Sequence, residues 1–326
     1  MSIGTTEQKP SRLIADIGGT HARFALSASV DDIREVSVVN VADYPGIEEA
    51  INDYLRRVGH HTVKHAALGI ANPIVGDHVK MTNFPWEFSI EATRLACGFD
   101  KLHFLNDFTA LALALPHLPQ NQLRPVGTGQ AVAGTPLGVV GPGTGLGVSA
   151  LIPTSQGWVP LAAEGGHVSF APADERELAL WQDAHAEFGH VSMERLVSGS
   201  GLQFIYRKLC RRAGTEGQDY SAADISRHAI ANSCRHCRQA LDTFCAILGT
   251  VASNLALMLG ARGGIYIGGG IIPKLGDYFN NSPFRQRFND KGRFSDYMAA
   301  IPVFVITSDN PALTGAAAYL DSCIHE

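Results

Sequence analysis

The chain has 326 residues, 45% hydrophobic and 17% charged, enough to bury a sizeable core and to divide into two domains rather than one. A formal charge of -5 and a pI near 6.2, without an extended Lys/Arg run, exclude the electrostatic footprint of a nucleic-acid or membrane-surface binder and favour a small, non-polymeric ligand. No apolar stretch is read as reaching the roughly 18 to 20 residues that span a bilayer, and Met1 to Pro10 lacks the apolar core of a signal peptide, so a cytoplasmic location is expected.

In chain order, Arg12 to Ile17 reads as a first strand, Ala22 to Ser27 as its antiparallel partner after the Gly18-Gly19 turn, and Val36 to Val41 as a third strand. A hairpin after the first glycines rules out a Walker A loop or a Rossmann fingerprint, both of which open a helix. Gly46 to Val58 has helical spacing, Val63 to Ile70 returns as a strand, Glu91 to Cys97 is a short helix, and Leu102 to Leu105 is a strand. Thr109 to Leu115 continues as a helix out of Asp107. The Gly/Pro/Gln-rich stretch from Pro116 to Thr135 then reads as a crossing into a second domain. That domain begins like the first: Leu137 to Val140 is a strand, Gly141 to Gly147 a glycine turn, and Val148 to Ile152 a returning strand. Farther on, Trp181 and Phe188, seven apart, mark the apolar stripe of a helix. Ala246 to Leu259 is helix-like, and Gly264 to Ile267 is a strand leading into Gly268-Gly269-Gly270 at an expected helix start.

Three glycine turns therefore follow strand-like runs. Such turns let backbone N–H groups approach phosphate oxygens without Cβ interference, and together with Asp107 at a strand end they point to phosphoryl transfer. A hydroxyl is a poor nucleophile at neutral pH, so a carboxylate in reach of it is needed, and Asp107 is the candidate base, with Asn106 placed to orient hydroxyls. Asn106-Asp107 also reads as a simple cap on the helix starting near Phe108. Asp16, at a strand end before a phosphate turn, is a candidate ligand of Mg²⁺, directly or through water. Glu164-Gly165-Gly166-His167 supplies an acceptor and a switchable donor or acceptor on a turn expected to be flexible, suited to vicinal hydroxyls. Cys234-Arg235-His236-Cys237 has metal-like spacing but no second Cys/His pair at a zinc-site distance, and the six scattered cysteines are expected as reduced thiols.

Several runs together, Asp16 to Arg23, Ala71-Asn72-Pro73-Ile74, Met81-Thr82-Asn83, Leu105 to Phe108, Gly141 to Gly147, Glu164 to His167 and Glu194 to Gly199, resemble the bacterial glucokinase family from about Leu13 to Leu320. The clustered-cysteine zinc motif of the repressor and open-reading-frame sugar kinases is missing, which places the resemblance in the other glucokinase branch. The family's first phosphate loop commonly has Asn where this chain has His21.

The resemblance implies an α/β, ribonuclease-H-like fold of the actin and hexokinase type. Its two domains would be residues 1–117, joined by a returning segment of about 308–326, and 118–307, with the active site in the interdomain cleft. It implies an ATP-dependent glucokinase that transfers the γ-phosphoryl group of Mg-ATP to the 6-hydroxyl of glucose, with Asp107 as base. Glucose would be bound by Asn106, Asp107, Glu164, His167, Glu194, Asn72 and Asn83. ATP would be bound by Ala15, Asp16, Ile17, Gly18, Gly19, Thr20, Gly143, Thr144 and Gly145, with Gly268, Gly269 and Gly270 on the adenosine side. A homodimer is implied by the family alone. A kinase for another hexose or amino sugar, or a sugar-responsive regulator without turnover, are the alternatives.

Overall fold

The computed structural model describes residues 11–59, 62–82 and 84–323. These divide into two compact units, one holding the chain up to Leu118 and from Asp309 onward, the other Pro119–Ser308. The first unit carries strands β1 (Arg12–Ile17), β2 (His21–Ser29), β3 (Asp32–Asn40), β4 (His65–Ile70), β5 (His78–Lys80), β6 (Glu87–Ser89) and β7 (Lys101–Asn106), and helices α1 (Ile47–Arg57), α2 (Ile90–Ala96) and α3 (Asp107–Ala114). The second carries β8 (Leu123–Pro125), β9 (Leu137–Pro142), β10 (Leu146–Thr154), β11 (Gly157–Ala163), β12 (Gly264–Ile267) and β13 (Val303–Ile306). Its helices are α4 (Glu175–Phe188), α5 (Gly199–Arg212), α6 (Ala222–Ile230), α7 (Arg235–Leu259), α8 (Asp277–Asn280), α9 (Phe284–Asn289) and α10 (Ser295–Ala299). The last helix, α11 (Pro311–Ser322), returns to the first unit.

In the first unit the sheet order is β3-β2-β1-β4-β7, with the first three strands an antiparallel meander and β4 and β7 parallel to β1. Alternate side chains divide between its faces, as the two-residue strand period requires. Leu13, Ala15, Ile17, Ala66, Leu68 and Ile70 pack in one cluster with Ile47, Ile51 and Tyr54 of α1, while Ile14, Ala25 and Ala67 pack with Leu313, Ala316, Ala317 and Leu320 of α11. Two contacts tie α11 down. An added Cβ at Gly315 would collide with the Ala110 carbonyl of α3, so only glycine permits that crossing. Asp321 accepts the Val30 N–H at 2.9 Å and pairs at 2.8 Å with Arg12, a guanidinium with only 4% of its side chain exposed.

The second sheet runs β11-β10-β9-β12-β13-β8. Its first five strands repeat the arrangement of the first unit: an antiparallel meander, here β9, β10 and β11, followed by two strands parallel to the first, here β12 and β13. The hairpin echo in the sequence is thus a repeated topology. Its core gathers around α7, whose Phe244, Cys245, Ile247 and Leu248 are fully buried, with Trp181 and Phe188 packed partly against the same cluster.

Three expectations need correction. The stretch read as a crossing contains β8, which pairs antiparallel with β13 and belongs to the second unit's sheet. Helix α7 is, among the described residues, long and apolar enough to cross a membrane, but 78% of that apolar window is buried inside the protein, where a core helix belongs. Gly268-Gly269-Gly270 is followed not by an α-helix but by a single 3₁₀ turn, Ile272–Leu275.

Candidate active site

In the first unit, register decides which residues meet. Ile17 lies opposite Ile70, and Ile70 opposite Asn106, so the C-terminal ends of the parallel strands β1, β4 and β7 finish level with one another. The turn Gly18-Gly19-Thr20, the segment Ala71-Asn72 and Asn106-Asp107 therefore emerge along one sheet edge. This is the edge at which open α/β sheets bind ligands. With strands about 4.8 Å apart, residues two strands away stand about 10 Å apart, a span that a terminal phosphate and a hydroxyl can occupy together.

Asp107 is the first residue of α3, where the positive end of a helix favours a carboxylate, and its Oδ1 accepts the Phe108 N–H at 2.9 Å. Asn106 is the N-cap: its Oδ1 accepts the N–H groups of Phe108 and Thr109 at 2.9 and 3.2 Å. Its oxygen is committed to the helix, and its side-chain NH₂ is what it offers a ligand. The capping reading and the ligand reading thus apply to different atoms of one side chain. Asn72 is more fully engaged, accepting from the Thr82 N–H and hydroxyl at 3.2 and 2.7 Å and donating to the Pro73 carbonyl at 3.1 Å. It holds the Thr82 turn in place. Asn83 lies outside the described residues.

Ala15 and Ile17 are fully buried, and Asp16 between them faces the other side of the strand, opposite Arg23 of β2, whose Nη1 lies 3.3 Å from its Oδ2. Burial pushes the Asp16 carboxyl above its ordinary value, and the guanidinium offsets this only in part. A partly buried carboxylate that its one neighbouring guanidinium does not fully compensate fits a hard cation. Among the described residues no three His, Cys, Asp or Glu side chains gather to hold a metal alone, so the fit is to Mg²⁺, which takes one or two carboxylates and completes its shell with water and substrate phosphates. Beyond Asp16 the hairpin closes through Gly18 N–H to the His21 carbonyl at 2.9 Å. His21 itself is exposed.

In the second unit the corresponding sheet edge carries the other two glycine turns, packed directly on one another. Gly268 donates its N–H to Val140 at 2.9 Å, a Cβ on Gly141 would stand 2.6 Å from the Gly268 carbonyl carbon, and one on Gly269, at φ +77°, would collide with the Pro142 carbonyl. These two glycines are required by packing. Gly143 and Gly270 differ: nothing lies within 4 Å of where their Cβ atoms would be. The open positions are the ones a phosphate can approach. The Gly143 carbonyl accepts the Gly199 N–H at 2.9 Å, which docks the turn on the start of α5.

The Glu164–His167 turn was expected to be flexible, and it is anchored. A Cβ on Gly165 would stand 2.9 Å from the Val148 Cβ, and one on Gly166 would collide with the Leu146 carbonyl, so both glycines seat the turn against β10. Glu164 and His167 stand at its surface, side chains 56% and 63% exposed, with Oε2 and Nε2 4.0 Å apart. Glu194, on a 3₁₀ turn, accepts the Leu146 N–H with Oε2 at 2.9 Å, leaving Oε1 for another donor. Leu146 therefore holds Glu194 beside the Gly143–Gly145 turn through its N–H, while its carbonyl packs closely against Gly166 of the Glu164–His167 turn. No side chain announces such a residue, and the sequence reading passed over it.

A model of the glucokinase family matches residues 13–323. The chain is 55% identical over 320 residues to the glucokinase of Chromobacterium violaceum, covering 98% of this chain and 92% of that protein. It is 51% identical over 311 residues to that of Neisseria meningitidis serogroup C, covering 95% of each. Among solved structures, the glucokinase of an Antarctic psychrotroph superposes with a TM-score of 0.87 at 38% identity, covering 95% of this chain and 98% of that one.

Proposed function

The chain belongs to the glucokinase family and is an enzyme that phosphorylates glucose at the expense of ATP; from this we propose how its own residues carry out the transfer. Asp107 accepts the proton of the glucose 6-hydroxyl as the oxygen attacks the γ-phosphorus, and ADP leaves in line. The observation that carries this assignment is the level ending of β1, β4 and β7, which brings Asp107 to the same edge as Asp16 and the Gly18-Gly19-Thr20 turn.

The remaining roles follow from the atoms left available. Glu164, His167 and Glu194 Oε1 bind sugar hydroxyls, the Asn106 NH₂ adds a donor, and Asn72 acts by holding the Thr82 turn. Backbone N–H groups from Ala15 to Thr20 and from Gly143 to Gly145 cradle the phosphates, with Gly268 to Gly270 toward the adenosine. Asp16 would hold Mg²⁺, directly or through water, and the cation would supply neutralisation of charge on the transferring phosphate. The two compact units act as the two functional domains, and the enzyme works as a cytoplasmic homodimer, which sedimentation of the purified protein tests.

Release of ADP from Mg-ATP, measured over glucose, mannose, fructose, N-acetylglucosamine and no sugar, tests the assignment when run beside Asp107→Ala. Turnover chiefly with glucose that vanishes in the variant supports both the substrate and the base. Turnover with another sugar keeps the mechanism and changes the substrate. Glucose binding without phosphorylation of any sugar makes the chain a regulator.

A further inference from the structure

One sequence feature has no part in phosphoryl transfer: Cys234-Arg235-His236-Cys237. Cys234 is the N-cap of α7, a helix of 25 residues, and its Sγ accepts the backbone N–H of Cys237 at 3.4 Å. An N-cap and the third helical residue have Cα atoms about 5 Å apart by helix geometry, inside the range of about 4.4–6.8 Å that a disulfide bridges.

The two thiols differ in setting. Cys234 is partly exposed and follows the exposed residues Ala231, Asn232 and Ser233, so a small reagent can reach it. Its sulfur sits at the N-terminal end of the helix and already accepts a peptide N–H. Cys237 is fully buried, and burial, with the Cys234 sulfur beside it, pushes its thiol up to about 12.

We propose that Cys234 and Cys237 form a dithiol site that exchanges with small-molecule disulfides, Cys234 attacking and Cys237 resolving. The Cys234 thiolate attacks one sulfur of a disulfide RSSR, forming a mixed disulfide and releasing RS⁻, which takes up the proton lost by Cys234. Cys237 then attacks the Cys234 sulfur, the protein disulfide forms, and the second RS⁻ leaves with the Cys237 proton. Two protein thiols are oxidised and one RSSR is reduced to two RSH.

The native protein is incubated with oxidised glutathione, quenched in acid, alkylated and digested with trypsin. Cleavage after Arg235 separates the two cysteines, so their bridge appears as the peptide 228–235 linked to 236–238. The expected result is loss of two of the six thiols and recovery of that linked pair. Cys234→Ser, which keeps a capping side chain, abolishes it. Cys237→Ala, which keeps the buried position apolar, arrests the reaction with one glutathione on Cys234. A bridge from Cys237 to any cysteine other than Cys234, a Cys237→Ala protein that takes up no glutathione, or a wild type that keeps six thiols overturns the proposal.

Discussion

Replacing Gly141 and Gly143 separately by alanine tests whether the second glycine turn has one job or two. At Gly141 the new methyl meets the Gly268–Gly269 peptide group, 2.6 Å from the Gly268 carbonyl carbon, 2.7 Å from the Gly269 nitrogen and 2.9 Å from the Gly268 oxygen. No flexible side chain can yield, so the cost lies at the upper end of the overpacking range, about 3 kcal/mol. For a unit of this size that lowers Tm by about 6–12 °C. At Gly143 the methyl meets no atom within 4 Å, and the residue is not in the left-handed region. Folding then gains about 0.4–1 kcal/mol from the stiffer unfolded chain, so Tm holds or rises slightly. The same methyl occupies the space assigned to phosphate, and KM for ATP should rise about tenfold or more, equivalent to about 1.4 kcal/mol of binding. Thermal melts and initial rates over an ATP series at saturating glucose read both quantities. A Gly143→Ala enzyme with the wild-type KM for ATP refutes the phosphate assignment, and a Gly141→Ala protein with the wild-type Tm refutes the packing argument.

Asp107→Asn should lower kcat by about 10²–10⁴ while leaving glucose affinity and Tm nearly unchanged, because the amide keeps the shape but not the basicity; glucose binding by calorimetry beside turnover reads the split. Asp16→Asn should abolish Mg-dependent turnover and yet melt no lower than the wild type at neutral pH. The folded protein binds the Asp16 proton more tightly than the unfolded chain, whose carboxyl titrates near 3.8, so this group's contribution to stability falls as pH rises through the interval above 3.8. Melts of both proteins across that interval should diverge in favour of the variant, and convergence would contradict the assigned shift. Asp321→Ala removes the partner of a buried guanidinium and should cost about 3 kcal/mol in denaturant unfolding; a loss below 1 kcal/mol would show that α11 is held by its apolar face alone.

Local pattern alone placed β1, β2, β4, α1 and the strand ending just before Asp107, because alternation and helical spacing are properties of neighbouring residues. It also marked Asp16, Asp107 and the glycine turns, whose residue types carry the chemistry. Where pairing is remote in the chain, the pattern was silent. Leu123–Pro125 is too short and too rich in proline nearby to read as a strand, and it becomes one only because Val305 lies opposite Arg124. The residues around Cys234–Cys237 and the run Ala246 to Leu259 each read as helical, but their joining into one 25-residue core helix was not visible in the pattern. Composition showed that glycines mattered without separating their uses: only packing distinguishes Gly141, Gly166 and Gly269, which admit no Cβ, from Gly143 and Gly270, which lie open. Glu194 meets Leu146 across 48 positions of sequence through a main-chain N–H. Every residue has that group, so its place in the site is set by tertiary packing and leaves no trace in the identity of the side chain.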